Sequence, residues 1–157
     1  MTREEKRTRV INACIAHQQH VAAVAKQEMD SAQQQSNDYG ANVDRYDSYR
    51  TKMMRARDMY AKQLSNANAS LRYLGDALRL PPFDRAEHGA IVETDKQCFF
   101  LSDGVGKFTV NDPESPTGMR YCFAISAQTP IYLALKGKTV GDSFIVNGIT
   151  QTIKDIY

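Results

Sequence analysis

Apolar residues recur at alternating gaps of four and three through most of the first half of the chain. A first run comprises Ile11, Ile15, Gln18, Ala22, Ala25, Met29 and Ala32. A second run comprises Tyr46, Met53, Tyr60, Leu64, Ala67, Leu71, Leu74 and Leu78, with Arg50 and Arg57 at the two remaining positions. This spacing is a heptad repeat, whose apolar side needs a partner helix to bury it. The pattern therefore predicts two long helices that pack on each other.

The segment between the two runs consists of turn and capping residues without an apolar rhythm. Residues 36–42 read Ser-Asn-Asp-Tyr-Gly-Ala-Asn, a composition typical of a turn. The polar residues 33–37 just before it are interpreted as the frayed end of the first helix. We therefore predict an antiparallel coiled-coil hairpin over residues 1–80, with its tip near residues 37–42.

Both predicted helices have recognisable end signals. Thr2 and Glu5 have the spacing of a capping box at the start of the first helix. Asn42 is a candidate N-cap for the second helix. Pro81 and Pro82 cannot continue that helix and mark its end.

The second half of the chain has the short apolar runs of a β domain. We predict strands over residues 90–94, 98–101, 107–110, 120–125, 144–146 and 150–153, and one short helix over residues 130–136 with Thr129 as its N-cap and Gly137 after its end. Asn147-Gly148 is the strongest two-residue hairpin signal in the chain. The predicted core is Ile91, Phe99, Leu101, Phe108, Phe123, Leu133, Phe144, Val146 and Ile153. The fold class is therefore α+β, with a hairpin at 1–80, a linker at 81–88 and a small antiparallel β domain at 89–157.

Composition excludes several classes of protein. The 157 residues are 42% hydrophobic and 24% charged, and no run of about 18 apolar residues could span a membrane. The N-terminus is charged and does not resemble a signal peptide. The three cysteines, Cys14, Cys98 and Cys122, have no metal-ligand spacing, so we expect reduced thiols in a cytoplasmic protein without membrane contact.

The net charge of +2 is unevenly distributed. Residues 1–80 contain 13 Lys and Arg against 9 Asp and Glu, whereas residues 81–157 contain 7 against 9. Neither half has the strongly basic face expected for binding duplex nucleic acid. A protein partner is the better expectation.

The sequence contains no recognisable catalytic constellation. His17 and His20 lie one helical turn apart, but no third ligand is near them in the sequence, so surface histidines are the better interpretation. No nucleophile triad, phosphate-binding glycine loop or dinucleotide fingerprint is present. We therefore expect no enzymatic activity of its own and no intrinsic cofactor.

Two segments of the β domain resemble a known family signature. Residues 125–130 read Ile-Ser-Ala-Gln-Thr-Pro, and residues 135–142 read Leu-Lys-Gly-Lys-Thr-Val-Gly-Asp. They resemble the C-terminal signature of the Gre transcript-cleavage factors, which is roughly I-S-x-x-S-P followed by L-x-G-K-x-x-G-D. The family also has an N-terminal helical hairpin followed by a sheet domain. The resemblance implies an FKBP-like C-terminal domain and a docking motif that includes Ser126, Pro130, Gly137, Lys138, Gly141 and Asp142.

The resemblance also implies a partner and a function. Gre factors dock on RNA polymerase and pass their hairpin down its secondary channel, where acidic tip residues help to hold a second Mg²⁺ while the polymerase itself cleaves backtracked RNA. A weakly held second cation can take its missing ligands from one or two carboxylates of this kind. We expect a monomeric regulator of transcription elongation that binds RNA polymerase, with nascent RNA as a further contact and Mg²⁺ shared with the polymerase.

The tip departs from the family pattern, which reads approximately G-D-L-K-E-N-A-E-Y. Aligning Asn42 with the family Asn places Asp38 on the family Asp, Ala41 on the family Glu and Asp44 on the next Glu. One of the two tip acids is thus retained. Asp38 is then either a tip carboxylate or a turn residue, whereas Asp44, with Asp47, is better explained as an acid at a helix N-terminus. Weakened cleavage, or a regulator that occupies the channel and competes with true Gre factors, fits this pattern better than full cleavage activity.

Further residues near the tip are candidates for contact with polymerase or RNA: Tyr39, Asn42, Arg45, Arg50, Lys52, Arg55 and Arg57. A solvated helix face explains the basic cluster equally well. A different class of function also remains open. The hairpin could mediate dimerisation or bind another protein, as part of an adaptor without a role in cleavage.

Overall fold

The computed structural model describes residues 1–39 and 48–157. Two long helices, α1 (Arg3–Tyr39) and α2 (Ser48–Ala77), precede a six-stranded sheet and one short helix. The sheet elements are β1 (Ile91–Thr94), β2 (Cys98–Leu101), β3 (Gly106–Asn111), β4 (Met119–Ile125), β5 (Ser143–Val146) and β6 (Ile149–Ile156), with α3 (Pro130–Leu135) between β4 and β5. The predicted α+β class is confirmed. In the part of the chain that the structure describes, neither long helix contains a stretch apolar enough to cross a bilayer.

Helix α1 begins at the predicted capping box and ends later than predicted. The Thr2 N–H donates to Glu5 Oε2 and the Glu5 N–H donates to Thr2 Oγ1, each over 3.1 Å. The sequence predicted a turn from residue 36 onward. This prediction is wrong for residues 36–39, which are helical. Ser36 is 1% exposed because it follows Ala32 by four residues and continues the heptad rhythm. The predicted N-cap Asn42 lies outside the described residues.

The described residues form two compact units. One unit is Gln18–Arg72, and the other combines Met1–His17 with Tyr73–Tyr157. We refer to them as the hairpin unit and the β unit. Each long helix is therefore divided between the units. The hairpin unit contains residues 18–39 of α1 and 48–72 of α2, and the β unit contains residues 3–17 of α1 and 73–77 of α2.

The hairpin unit confirms the heptad interpretation. The buried seam positions are Gln18, Ala25 and Ala32 on α1 and Ala67 on α2, and the other described seam positions within the unit are half-buried. Arg57 of α2 donates from Nη1 to Gln33 Oε1 of α1 over 2.7 Å. Each helix of the chain thus provides the partner that the heptad repeat of the other requires.

The sheet of the β unit has the strand order β3-β4-β2-β1-β6-β5. All neighbouring strands are antiparallel except β2 and β4, which are parallel. Side chains alternate between the two faces, so Ile91 and Phe100 enter one core cluster while Val92 and Phe99 enter the other. The first cluster includes Val10, Ile11 and Cys14 of α1, and the second includes Tyr132 and Leu135 of α3. Burial on both faces explains why β2 is continuously apolar.

Most of the predicted core is confirmed, with one error. Buried as predicted are Ile91, Phe99, Leu101, Phe108, Phe144 and Ile153, and half-buried against the same clusters are Phe123 and Val146. Leu133 is 64% exposed, so its assignment to the core was wrong. In a two-turn helix the inward side is shared by residues three apart, and here it is occupied by Tyr132 and Leu135.

Residues 81–88, which the sequence suggested as a linker, hydrogen-bond with the β domain. The Ala86 N–H donates to the Lys138 carbonyl over 2.8 Å, and the Gly137 N–H donates to the Ala86 carbonyl over 2.7 Å. Ala86 is fully buried in the second core cluster. Helix α2 ends at Ala77, four residues before Pro81.

Candidate functional site

The segment from residue 126 to residue 130 forms a hydrogen-bonded turn that starts α3. The Ser126 carbonyl accepts from the Thr129 N–H over 3.1 Å and from Thr129 Oγ1 over 2.9 Å. Thr129 Oγ1 in turn accepts from the Tyr132 N–H over 3.3 Å, as an N-cap does. Pro130 is exposed at the first position of the helix, where its missing N–H costs nothing. The predicted helix start is confirmed.

The glycines of the second motif segment allow two reversals of the chain. Gly137 has a φ of +84° directly after the end of α3, and Gly141 has a φ of +93°. These left-handed values favour glycine because a Cβ atom would be strained there. The Gly141 N–H donates to the Ile153 carbonyl over 2.9 Å and fixes this loop to β6.

Asp142 holds the loop before β5 through its carboxylate. Its Oδ2 accepts from the Thr139 N–H over 2.9 Å and from Thr139 Oγ1 over 3.2 Å. The backbone hydrogen bond from Thr139 is the main cause that lowers the pKa of Asp142 below the ordinary carboxyl value, and the Lys138 charge contributes. The residues of the motif thus make one connected turn–helix–turn structure. Its surface includes the exposed apolar side chains of Leu133 and Val140.

Asp38 lies in the last turn of α1, within the hairpin unit. Its side chain is exposed, and Oδ1 accepts from Gln34 Nε2 over 2.8 Å. A single carboxylate of this kind can supply one or two oxygen ligands, but a protein Mg²⁺ site needs further partners. Among the described residues no group of three His, Cys, Asp or Glu side chains could hold a metal ion.

The basic residues of α2 divide into two sets. Lys52, Arg55 and Lys62 are exposed and follow one helix face, with the exposed Met59 between them. Arg57 is half-buried and also donates from Nη2 to Asp58 Oδ1 over 2.7 Å. Arg50 is half-buried as well.

Some predicted site residues fall where the structure gives no description. Asn42, Asp44 and Arg45 lie outside the described residues, and so does the neighbouring Asp47. Tyr39 is the last residue of α1.

Comparison with known proteins does not assign this chain to a family. No family model matches the chain, and no curated protein matches it. A solved structure that resembles it is the GreA factor homolog 1 (Gfh1) protein of Thermus thermophilus, at 15% identity and a TM-score of 0.33, over 92% of this chain and 95% of that one. That score is too low to carry an argument about this chain.

The sequence reasoning missed a buried arginine in the β unit. Arg7 is 2% exposed and donates from Nη1 to the Gly89 carbonyl over 2.7 Å and from Nη2 to the Ala77 carbonyl over 2.9 Å. Its guanidinium also lies 5.0 Å from the centre of the Phe83 ring. A signal was present, because Arg7 precedes Ile11 by four residues and therefore lies on the same face of α1 as that buried side chain.

A polar cluster in the sheet was also missed. Glu93 Oε1 accepts from Arg120 Nη2 and, over 2.5 Å, from the Tyr157 hydroxyl. Burial is the main cause that raises the pKa of Tyr157 above its ordinary value, and the neighbouring Cys98 and Glu93 add to it. These residues are far apart in the sequence, and they meet only because the sheet has the strand order β4-β2-β1-β6.

Proposed function

We propose that this protein binds RNA polymerase and regulates transcription elongation by placing its helical hairpin in the secondary channel. The observation that carries the proposal is the motif of residues 125–142. It resembles the Gre signature in sequence, and its Thr129 cap, Gly137 reversal and Asp142–Thr139 contacts join it into one turn–helix–turn structure. The same chain has an antiparallel hairpin before this domain, in the order that the resemblance implies.

The hairpin unit consists of long stretches of the two helices. Its part of α1, residues 18–39, is about 33 Å long at 1.5 Å per residue. Asp38 is exposed in the last turn of that helix. The proposed role of Asp38 is to offer a carboxylate to Mg²⁺ that the polymerase also holds, where the cation would supply charge stabilisation for hydrolysis. The protein itself is then not an enzyme, because the reaction belongs to the polymerase.

Retention of one tip acid favours a regulator that occupies the channel over a full cleavage factor. Ala41 stands at the position of the second family acid, and its methyl group cannot ligate a cation. We therefore propose weak or absent stimulation of cleavage, together with competition against factors that use the same channel.

The exposed basic face of α2 is the proposed contact for phosphate groups or acidic protein surfaces. From residue 48 to residue 72 the chain has six Arg or Lys residues and one Asp. Lys52, Arg55 and Lys62 are exposed on one face, which is the geometry that phosphate contacts require. Nascent RNA within the polymerase complex is the proposed nucleic-acid partner, and the cytoplasm is the proposed location.

The decisive experiment uses stalled, backtracked elongation complexes of RNA polymerase from the source organism. Transcript cleavage is measured with the protein alone and then in competition with a Gre factor. We expect little cleavage by the protein and a loss of the competitor's activity as its concentration rises. Strong cleavage that disappears in Asp38→Ala, but persists in the control Asp30→Ala on the same helix, would instead identify a one-acid cleavage factor.

Binding to polymerase is tested separately through the motif surface. Leu133 and Ile149 are both exposed in the β unit, at 64% and 51%, but only Leu133 belongs to the motif segment. Leu133→Asp should weaken binding at least about tenfold, equivalent to about 1.4 kcal/mol, and Ile149→Asp should leave it unchanged. Equal binding of both variants would show that the motif is not the docking surface.

The hairpin's own packing supports a monomer over a dimerisation adaptor. Ala25 and Ala67 are 2% and 3% exposed in the single chain, so these two seam residues are buried without a second copy. Sedimentation equilibrium measures the state directly. A stable dimer, together with absence of polymerase binding, would favour the adaptor.

A further inference from the structure

Two of the three cysteines contact each other across neighbouring strands. Cys98 of β2 and Cys122 of β4 are 2% and 0% exposed, and their Sγ atoms are 3.0 Å apart. Both thiols are free. Cys14 of α1 is buried in the same core cluster and is also free.

The register of the sheet explains why these two residues meet. The parallel pairing of β2 with β4 places Phe99 opposite Phe123, so the residues directly before them, Cys98 and Cys122, are also neighbours. Neighbouring strands lie about 4.8 Å apart, within the range of about 4.4 to 6.8 Å between Cα atoms that a disulfide spans. Cys98 and Cys122 belong to the same core cluster, so both side chains lie on the same face of the sheet. The backbone therefore already has the arrangement that a disulfide needs.

We propose that Cys98 and Cys122 form a reversible disulfide, with a small-molecule disulfide as the oxidant. The thiolate of one cysteine attacks a sulfur of the small disulfide, which forms a mixed disulfide and releases one small thiolate. The second cysteine thiolate then attacks the protein sulfur of that mixed disulfide and releases the other small thiolate. The two protein thiols are oxidised, the small disulfide is reduced to two thiols, and the two protons pass to the released thiolates.

Burial determines when this exchange can occur. It is the main cause that raises the pKa of the Cys122 thiol well above its ordinary value, and it raises the pKa of the Cys14 thiol to about 12. Both side chains are also closed to solvent, so the reagent reaches the pair only during opening of the strands. Once formed, the bond connects the one parallel pairing among the described strands, and a reductant reaches it during the same opening.

The test uses the full chain, unfolded in urea and refolded in a buffer of reduced and oxidised glutathione. Intact mass spectrometry should show the loss of two hydrogens, and peptide mapping should identify a Cys98–Cys122 link with Cys14 unmodified. The oxidised protein should unfold at a higher urea concentration than the reduced protein, because the bond restricts the unfolded chain. Addition of dithiothreitol should remove both differences.

The third cysteine provides the matched control. Cys14→Ala should still lose two hydrogens, whereas Cys98→Ala and Cys122→Ala should not. Circular dichroism of each variant shows whether it has folded, and the wild-type peptide map tests the proposal without any variant. A link that involves Cys14, glutathione adducts without a protein disulfide, or three free thiols after refolding would each overturn the proposal, which does not depend on the proposed function.

Discussion

The guanidinium of Arg7 and the carbonyl of Ala77 are joined by a hydrogen bond of 2.9 Å between Nη2 and the oxygen. This contact connects the first turns of α1 to the last residue of α2. The same side chain reaches the Gly89 carbonyl ahead of β1. One buried side chain therefore joins three segments that are far apart in the sequence.

Replacing Arg7 with Met should destabilise the β unit. The change would remove the guanidinium donor from the buried Gly89 carbonyl and would leave the Ala77 carbonyl with only the Leu80 N–H. Hydrogen bonds to charged donors contribute about 1.5 to 3 kcal/mol each. We expect the free energy of unfolding to fall by about 3 kcal/mol, measured by urea denaturation. The exposed Arg79 gives the control, since Arg79→Met should have almost no effect. Equal stability of the Arg7 variant and the wild type would contradict the assigned role.

The two leucines at positions 133 and 135 of α3 should respond differently to truncation. Leu135 is fully buried and Leu133 is 64% exposed. Leu135→Ala should cost about 3 kcal/mol of unfolding free energy through lost burial and a residual cavity. Leu133→Ala should cost no more than about 0.5 kcal/mol. Similar losses in both variants would show that the inward side of α3 has been assigned incorrectly.

Two alanines of α2 provide a comparable test of the hairpin seam. Ala67 is 3% exposed, whereas Ala69 is exposed. Ala67→Glu would put an unpaired charge and extra volume into the seam. We expect the free energy of unfolding to fall by more than about 3 kcal/mol. Ala69→Glu should leave the helical signal and the thermal midpoint nearly unchanged. Circular dichroism during heating measures both, and tolerance of glutamate at position 67 would rule out the seam.

Asp142 should make stability depend on pH in the acidic range. Its folded pKa is lowered, chiefly by the backbone hydrogen bond from Thr139, so its contribution is complete above the unfolded value of 3.8 and is lost as the pH falls through the folded pKa. At neutral pH, Asp142→Asn should unfold at a lower urea concentration than the wild type. Below the folded pKa the two midpoints should converge. Replacing the exposed Glu87 with Gln is the control. If the urea midpoints of Asp142→Asn and the wild type differ by the same amount at every pH, the role assigned to Asp142 is contradicted.

The elements that the sequence predicted best are those whose signals are local. The heptad spacing, the Thr2–Glu5 capping box, the Thr129 cap and the Asn147-Gly148 hairpin all depend on residues within a few positions of each other. Each corresponds to a specific contact or dihedral angle in the structure. The strands were also placed to within a few residues because their apolar runs are bounded by turn residues.

The features that the sequence could not predict depend on pairing between distant segments. The parallel pairing of β2 with β4 has no local signal, and it brings Cys98 to Cys122. The Glu93–Tyr157 contact likewise needs β1 and the end of the chain to meet. The error at Leu133 arose because a two-turn helix offers too few residues for periodicity to show its inward side. For the candidate site, the structure describes the motif and Asp38, while their proposed roles rest on the resemblance.

The grouping of residues 1–17 with residues 73–157 has a consequence for synthesis on the ribosome. Lys6 forms an ion pair of 2.9 Å with Asp155, and the Arg3 Nε atom donates to the Ile156 carbonyl over 3.1 Å. Translation proceeds at about 5 to 20 residues per second, so the partners of the first helical turns emerge on the order of ten seconds after them. During that interval Val10 and Ile11 lack the strands that bury them. Chaperones at the ribosome, or early pairing with α2, would have to protect this apolar surface in the nascent chain.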